Sequence, residues 1–235
     1  MKRQTLMRVM ISAFSLMASV SVVAQESKVE IVPAADIVSS YVWRGMYQTG
    51  FSIQPALTMT YGGFSLGAWG STDLSNAGDE TRSKEFDLTV GYGTSGFGIS
   101  VTDYWWSGEG ARYGRYATDH YFEGTVSYDF GEKCPLNLAW HTMFAGGDKD
   151  EDGDRQYSSY AELGTHFNLM GVEISPGIGI SPWKGLYSDG FGLNEISVKA
   201  TKQIKISDSF SLPLYAKVIA APEHDNVFLV LGATL

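Results

Sequence analysis

Apolar and polar residues alternate with a period of two along most of this chain, and that pattern constrains its fold more than any other feature. Residues 84–94 illustrate it, because Phe86, Leu88 and Val90 are separated by small or polar residues. Successive side chains of a β-strand point to opposite faces, so such alternation predicts strands with one apolar and one polar face. About twelve segments show the pattern, near residues 35–44, 52–61, 64–74, 84–94, 97–106, 120–130, 136–145, 157–168, 172–182, 193–206, 210–221 and 227–235.

The lengths and connections of these segments favour a transmembrane barrel over a soluble β-sandwich. Most segments approach the roughly 9–11 residues that a tilted transmembrane strand requires. Connections after even-numbered segments are short, such as residues 62–63 and 95–96, whereas most of the others are longer and more polar, such as residues 108–119 and 147–156. Bacterial barrels alternate short periplasmic turns and long outer loops in the same way. We therefore predict an all-β fold, a transmembrane antiparallel β-barrel of about twelve strands with up-and-down topology.

The first residues have the features of a secretory signal. A basic start is followed by an apolar stretch over residues 10–20 and by small residues before Gln25. The apolar stretch is too short to span a bilayer comfortably as a helix, which argues against an uncleaved anchor. We expect a signal peptide at residues 1–24, an outer-membrane β-barrel domain at residues 25–235, and export through the periplasm to the cell outer membrane.

Charge and cysteine content argue against several other classes of protein. The formal net charge is −9, whereas nucleic-acid binding requires lysine and arginine to neutralise phosphates. Cys134 is the one cysteine of the sequence, so no internal disulfide can stabilise the fold. The sequence contains no phosphate loop, dinucleotide-binding fingerprint or convincing zinc-ligand spacing, and we expect no cofactor.

A motif near the start of the predicted barrel is specific enough to suggest a family. Residues 39–45 read Ser-Ser-Tyr-Val-Trp-Arg-Gly, residues 54–56 read Gln-Pro-Ala, and residues 67–71 read Gly-Ala-Trp-Gly-Ser. These residues resemble the opening strands of the TorF-type porins, a family of predicted outer-membrane barrels. The resemblance implies a barrel and a porin function, and it does not identify a transported solute.

The polar faces of the alternating segments are expected to line the barrel lumen. The residues assigned to the lumen in this way are Asp36, Arg44, Gln54, Trp69, Glu85, Asp87, Glu123, His141, Tyr160, Glu162, His166, Glu173, Glu195, Lys199, Tyr215 and Lys217. This set is acidic on balance, and a charged ring in a narrow pore favours cations. The alternative is that these charges pair with one another and fill a lumen too narrow to conduct, because twelve strands lie between filled eight-stranded barrels and open porins.

Arg44 is a specific candidate within this set. The motif places it on the first strand, facing inward near the outer end, where carboxylates can hold it. We hypothesise that Arg44 anchors an internal ion-pair cluster and narrows the pore. The alternative is an arginine that is solvated at the rim of the barrel.

An acidic stretch has part of the spacing of a calcium-binding loop. Asp148, Asp150, Asp152 and Asp154 supply carboxylates at alternate positions, and hard cations such as calcium prefer oxygen ligands. However, the twelfth position of the loop is Ser159 instead of glutamate, and neither flank has a helical pattern. We therefore favour a solvated acidic outer loop over a metal site.

Asp103 and His120 are the residues that most suggest an enzyme. Both have the lipid-facing parity of neighbouring strands, near their outer ends, where buried charges are costly. A catalytic triad also needs a serine within reach, and the sequence indicates none. We expect no enzymatic activity, and the simpler interpretation places both residues in the headgroup layer.

Together these features predict a passive, narrow channel for small hydrophilic solutes whose lumen charge favours cations. The first alternative is a non-conducting structural or surface-interaction barrel, and a lipid-modifying or hydrolytic barrel enzyme is less favoured. The expected partners are outer-membrane lipid, lipopolysaccharide and small hydrophilic solutes, without nucleic acid.

Overall fold

A computed structural model describes residues 28–75 and 83–235, so the predicted signal peptide at residues 1–24 lies outside the described residues. The described chain consists of β-strands, turns and loops, with one short 3-10 turn at Pro222–His224. No helix among these residues is long and apolar enough to cross a membrane. The strands are β1 (Glu30–Val38), β2 (Tyr41–Trp43), β3 (Met46–Thr49), β4 (Ser52–Tyr61), β5 (Phe64–Asp73), β6 (Lys84–Thr94), β7 (Phe97–Trp106), β8 (His120–Asp129), β9 (Leu136–Gly146), β10 (Ser159–Thr165), β11 (Phe167–Leu169), β12 (Val172–Ser181), β13 (Gly192–Lys205), β14 (Ser211–Ala221) and β15 (Asn226–Thr234).

The strands form a closed antiparallel barrel of twelve strands. In the order β1, β4, β5, β6, β7, β8, β9, β10, β12, β13, β14 and β15, each strand pairs with the next, and β15 pairs with β1. β10 and β11 are two parts of one barrel strand, because both pair with β12 on either side of a break at His166. β2 and β3 form a separate hairpin. The prediction of an all-β antiparallel barrel with up-and-down topology is confirmed.

The connections between strands give the barrel two different ends. At the short-turn end, residues 62–63, 95–96 and 170–171 each join neighbouring strands, and every residue in these turns has a positive φ. Two consecutive residues with positive φ form the type I′ turn, whose twist matches that of paired strands. At the long-loop end, the connections include residues 107–119 and 147–158. The predicted alternation of short and long connections therefore separates the two ends of the barrel.

Large apolar side chains are exposed on the outer face of the barrel. The exposed aliphatic side chains of the strands include Leu57, Met59, Leu66, Leu88, Val90, Ile99, Val101, Val126, Leu138, Leu163, Ile178, Ile196, Val198, Leu214, Val218, Leu229 and Leu231. Soluble proteins bury most side chains of this kind, whereas barrels in lipid present them outward and keep polar residues inside. Among the described residues, the outer face of the barrel is therefore apolar.

The hairpin of β2 and β3, called the inserted hairpin below, folds into the lumen instead of extending β1. The prediction of one strand near residues 35–44 was therefore wrong, because β1 ends at Val38. The local reason is a two-residue turn at Arg44 (φ 51°) and Gly45 (φ 79°), which reverses the chain. Glycine is needed at the second position, because a Cβ atom there would collide with the carbonyl oxygen of Asn194 on β13.

The barrel closes through a short seam between β1 and β15. Three residues of β1, from Asp36 to Val38, have register partners on β15, and two reciprocal backbone hydrogen bonds join Ala35 to Leu235. In contrast, all nine residues of β1 pair with β4. The part of β1 before Ala35 therefore has a strand neighbour on one side only among the described residues, and Pro33 lies in this part.

Gly179 on β12 leaves room for the ring of Tyr160 on β10. The Tyr160 side chain is 1% exposed, and its hydroxyl lies where a Cβ atom at residue 179 would be. We expect Gly179→Ala to lower the free energy of unfolding by roughly 1–3 kcal/mol, because the buried ring cannot move aside without strain. Urea unfolding of the refolded barrel measures this loss. Gly124→Ala is the control, because a Cβ atom there makes an ordinary contact with the Phe144 ring, and equal losses in both variants would contradict the packing argument.

Candidate functional site in the barrel lumen

A cavity of about 160 Å³, called the lumen cavity below, lies next to the inserted hairpin. Most of the barrel strands contribute to its walls, together with residues 40–44. Thirteen of the sixteen residues that were predicted to face the lumen line this cavity, namely Asp36, Arg44, Gln54, Trp69, Asp87, Glu123, His141, Tyr160, Glu162, Glu195, Lys199, Tyr215 and Lys217. The fold thus brings these residues together, and their role in a pore stays a prediction.

The other three predicted residues lie away from the lumen cavity. Glu85 is buried on β6, two residues closer than Asp87 to the long-loop end. Glu173 is half-buried near the start of β12, at the short-turn end. His166 is exposed in the break between β10 and β11, also towards the short-turn end. A direct contact of these residues with a molecule in the cavity is therefore not expected.

Arg44, at the tip of the inserted hairpin, forms a buried ion pair with Glu123 on β8. Its Nη1 and Nη2 atoms donate to the two carboxylate oxygens of Glu123 at 2.5 and 2.9 Å. Nη1 also donates to the Tyr187 hydroxyl. The hydroxyls of Tyr104 and Tyr187 donate to Glu123 at 3.0 and 3.1 Å. Arg44, Tyr104, Glu123 and Tyr187 are called the Arg44 cluster below. Their bidentate ion pair joins the hairpin to the barrel wall and fixes the orientation of the guanidinium.

Aromatic rings also surround the guanidinium of Arg44. Its Cζ atom lies 4.7 Å from the ring centroids of Trp43 and Tyr160, and 5.0 Å from that of Tyr187. A cation over an aromatic face is attracted by the ring quadrupole, most strongly where water is excluded. Trp43 itself packs against Trp106 on β7, with ring centroids 5.6 Å apart. The inserted hairpin is therefore held by charge, hydrogen bonds and ring contacts at once.

Tyr187 is a member of the Arg44 cluster that the sequence did not reveal. It lies in residues 182–191, the connection between β12 and β13, yet its side chain is 1% exposed. The connection is fixed where the Asn194 side chain donates to the Tyr187 carbonyl at 2.7 Å, and where the Leu186 amide donates to the Ser158 hydroxyl at 2.7 Å. Connections between strands usually lie at the surface, so the strand pattern did not indicate that Tyr187 is buried. The one signal of burial in the sequence was the group of large apolar residues in this connection.

Two lysines occupy the wall formed by β13 and β14. The Lys217 Nζ atom lies 2.7 Å from a carboxylate oxygen of Glu195, and both side chains are buried. The Lys199 Nζ atom lies 4.0 Å from the ring centroid of Tyr215. Two lumen carboxylates are therefore paired, Glu195 with Lys217 and Glu123 with Arg44, whereas Lys199 is held against an aromatic face.

His141 on β9 connects two carboxylates of the cavity wall. Its Nδ1 atom lies 3.2 Å from Glu123 and 2.9 Å from the Thr125 hydroxyl. Its Nε2 atom lies 3.6 Å from Glu162 on β10. The imidazole therefore extends the polar network of the Arg44 cluster around the wall from β8 to β10.

The acidic loop uses its carboxylates to organise its own backbone. Asp148 accepts hydrogen bonds from the amide and hydroxyl of Ser158 at 3.0 and 2.5 Å. One oxygen of Asp150 accepts from the amides of Asp152 and Asp154 at 3.1 and 2.8 Å. Within residues 28–75 and 83–235, no group of three or more His, Cys, Asp or Glu side chains is placed to hold a metal ion.

Asp103 and His120 form a pair on the outer face of β7 and β8. The Nδ1 atom of His120 lies 2.7 Å from an oxygen of Asp103, and the Nε2 atom lies 2.5 Å from the carbonyl oxygen of Tyr113. The Tyr116 ring stacks on the imidazole with centroids 4.2 Å apart, so that His120 is 0% exposed. Both ring nitrogens therefore already have partners, and the pair fastens the loop at residues 107–119 to the barrel wall.

The inserted hairpin and the Arg44 cluster lie in the part of the chain that is shared with a known family. Residues 23–204 match Gcw_chp, which is described as a bacterial protein of unknown function. None of the curated proteins compared with the chain matches it. The matched part runs from before β1 into β13. Because this match covers well over half of the sequence, the chain belongs to the Gcw_chp family of bacterial proteins of unknown function.

Proposed function

We propose that this protein is a narrow channel for small hydrophilic solutes in the bacterial outer membrane, with the short-turn end in the periplasm. The observation that carries the proposal is a lumen cavity lined in part by charged side chains, inside a closed barrel whose exterior is apolar. A sheet in lipid must satisfy its backbone hydrogen bonds by closure and present apolar side chains outward. Outer-membrane lipid and lipopolysaccharide are then the partners of the outer face, and solutes are the partners of the lumen.

Charge and width define which solutes this channel would accept. The inserted hairpin and residues 182–191 occupy the long-loop end of the lumen, and the space that remains is about 160 Å³. Among the described residues that line it, the carboxylates are Asp36, Asp87, Glu123, Glu162 and Glu195, and the lysines and arginines are Arg44, Lys199 and Lys217. Carboxylates in a narrow pore attract cations and repel anions. We therefore propose a channel that prefers small cationic or neutral solutes.

The resemblance to the TorF-type porins supports the same function. Residues 39–45 are among those that carry this resemblance, and they contain β2 and the turn of the inserted hairpin. The element that occupies the lumen therefore carries part of the resemblance. A hairpin that lies inside the lumen is consistent with control of passage through the barrel.

A second candidate is a barrel that does not conduct and instead binds a solute or a surface partner. The Arg44 cluster favours it, because a buried bidentate ion pair holds the inserted hairpin in place. We assign no catalytic role to Asp103 and His120, because both imidazole nitrogens are occupied by structural partners. The two candidates differ in whether current passes through the folded barrel.

Planar-bilayer recording of residues 25–235, refolded from denaturant, tests the proposal. We expect discrete openings of low conductance and, across a potassium chloride gradient, a reversal potential with the sign of a cation-selective pore. A heat-modifiable shift on gel electrophoresis shows that the barrel is folded in the same preparation. A folded barrel that passes no current at any applied voltage would overturn the channel proposal and support the second candidate.

A further inference from the structure

Asp87 is a buried carboxylate that faces the lumen cavity with one oxygen unpaired. The residue lies in the middle of β6, is 8% exposed and lines the cavity. Its Oδ1 atom has no hydrogen-bond partner in the part of the chain that the structure describes. A buried carboxylate oxygen without a partner costs free energy, and a donor or a cation bound in the cavity would offset that cost.

The charged groups around Asp87 do not supply that cation. The charged side chains that act on it are the carboxylates of Glu85, Asp103 and Glu123. Arg44 is engaged by Glu123, and Lys199 lies under the ring of Tyr215. With β10 and β11 counted as one strand, β13 lies six strands from β6 in the order of the sheet, which is the opposite wall of a twelve-stranded barrel. The β6 wall of the cavity is therefore negative and the opposite wall carries the lysines.

Aromatic rings lie on both sides of Asp87. Trp69 on β5 and Tyr104 on β7 are its direct cross-strand partners, and both line the lumen cavity. Tyr41 of the inserted hairpin packs on Trp69 with ring centroids 5.5 Å apart, and it lines the cavity as well. A carboxylate whose cross-strand neighbours are aromatic suits an organic ammonium group, which combines charge with an apolar surface. A calcium or magnesium ion instead needs several oxygen ligands.

We propose that the lumen cavity binds a small organic cation whose ammonium group pairs with Asp87 and lies against Trp69 and Tyr41. An apolar cavity of about 150 Å³ accepts a ligand of the size of benzene, so molecules of a similar number of heavy atoms fit here. As a statement about a transported solute, this inference rests on the channel function proposed above. As a statement about binding, it is tested without any current.

Choline is the probe for this site, and 3,3-dimethyl-1-butanol is its uncharged analogue of the same shape. Titration calorimetry is performed on residues 25–235 refolded in detergent. We expect saturable heat with choline chloride and none with the neutral analogue. Asp87→Asn is expected to weaken choline binding by roughly tenfold to a hundredfold, because a charge-assisted contact is lost. Trp69→Leu is expected to weaken binding by roughly threefold to tenfold, because a cation–π contact is lost.

Glu173→Gln is the matched control, because it neutralises a lumen carboxylate that does not line the cavity. Binding of choline by this variant is expected to equal that of the unmodified chain. Equal heats for choline and its neutral analogue, or unchanged choline affinity in Asp87→Asn, would overturn the proposal. So would complete displacement of choline by an equal concentration of potassium chloride. Cation-selective current without choline binding would overturn this inference and leave the channel function standing. Choline binding without current would support this inference and overturn the channel function.

Discussion

Glu123→Gln is expected to lower the free energy of unfolding of the barrel by about 3–5 kcal/mol, because it leaves a buried arginine without its counter-charge. Arg44 is 4% exposed and would keep its charge, but it would lose the bidentate carboxylate that accepts from Nη1 and Nη2. Glutamine keeps one acceptor oxygen, so one of the two tyrosine hydroxyls that donate to Glu123 would lose its acceptor in the same step. Urea titration of the barrel refolded in lipid vesicles, followed by tryptophan fluorescence, measures the change.

A double-mutant cycle separates the ion pair from ordinary packing. Combining Arg44→Met with Glu123→Gln removes both charges, so we expect the double variant to lose much less than the two single losses added together. Lys205→Met is the control, because Lys205 and Asp208 form an exposed pair and the expected loss is about 0–1 kcal/mol. If Glu123→Gln lost no more than Lys205→Met, the Arg44 cluster would have no role in stability.

Removal of the inserted hairpin is expected to raise the single-channel conductance severalfold. Val38 and Ser52 are cross-strand partners, so deleting residues 41–49 and joining Ser40 to Gly50 leaves a four-residue loop between paired positions. Hairpin loops of that length are common, and β1 and β4 can therefore keep their register. The conductance rises because Trp43 and Arg44 no longer occupy the lumen. Planar-bilayer recording of the shortened and unmodified barrels gives the comparison.

A change at the same end of the barrel, but outside the lumen, is the control for that experiment. Lys149 and Arg155 form a β-bridge, so replacing residues 150–154 by Asn-Gly gives a two-residue hairpin in the exposed acidic loop. This variant is expected to keep the conductance of the unmodified barrel. A shortened barrel that is folded, shown by its heat-modifiable shift, and still conducts no better than the unmodified one would show that the inserted hairpin does not limit passage.

The strands were predictable from the sequence because their pattern is set by local backbone geometry. The predicted segments at 52–61 and 97–106 coincide with β4 and β7. Successive side chains point to opposite faces of any strand. In this barrel one face lies on the outside and the other faces the lumen, so apolar and polar residues alternate clearly. For the same reason thirteen of the sixteen predicted lumen residues share the lumen cavity. The break at His166 was not predicted, because nothing in the alternation marks it.

The inserted hairpin was not predictable in the same way. Residues 41–43 continue the alternation of β1, so they were assigned to the first strand. Their true position depends on contacts with residues far along the chain: Glu123 is 79 residues from Arg44, and Tyr187 is 143 residues from it. The alternation of apolar and polar residues reflects local strand geometry, so it carries no information about contacts between residues far apart in the sequence. The Arg-Gly dipeptide was the one local signal, since two consecutive positive-φ residues make a tight turn.

The short seam between β1 and β15 bears on edge-to-edge aggregation. The first residues of β1 extend past the end of β15 and present backbone groups that could template another strand. The amide of Ala35 points towards β15, and residues two apart in a strand point their amides the same way, so the nitrogen of Pro33 faces the free side. Proline has no amide hydrogen, and an incoming strand would therefore lose a donor from its ladder. The residues of β1 that extend past β15 are therefore a poor template for pairing with a second chain.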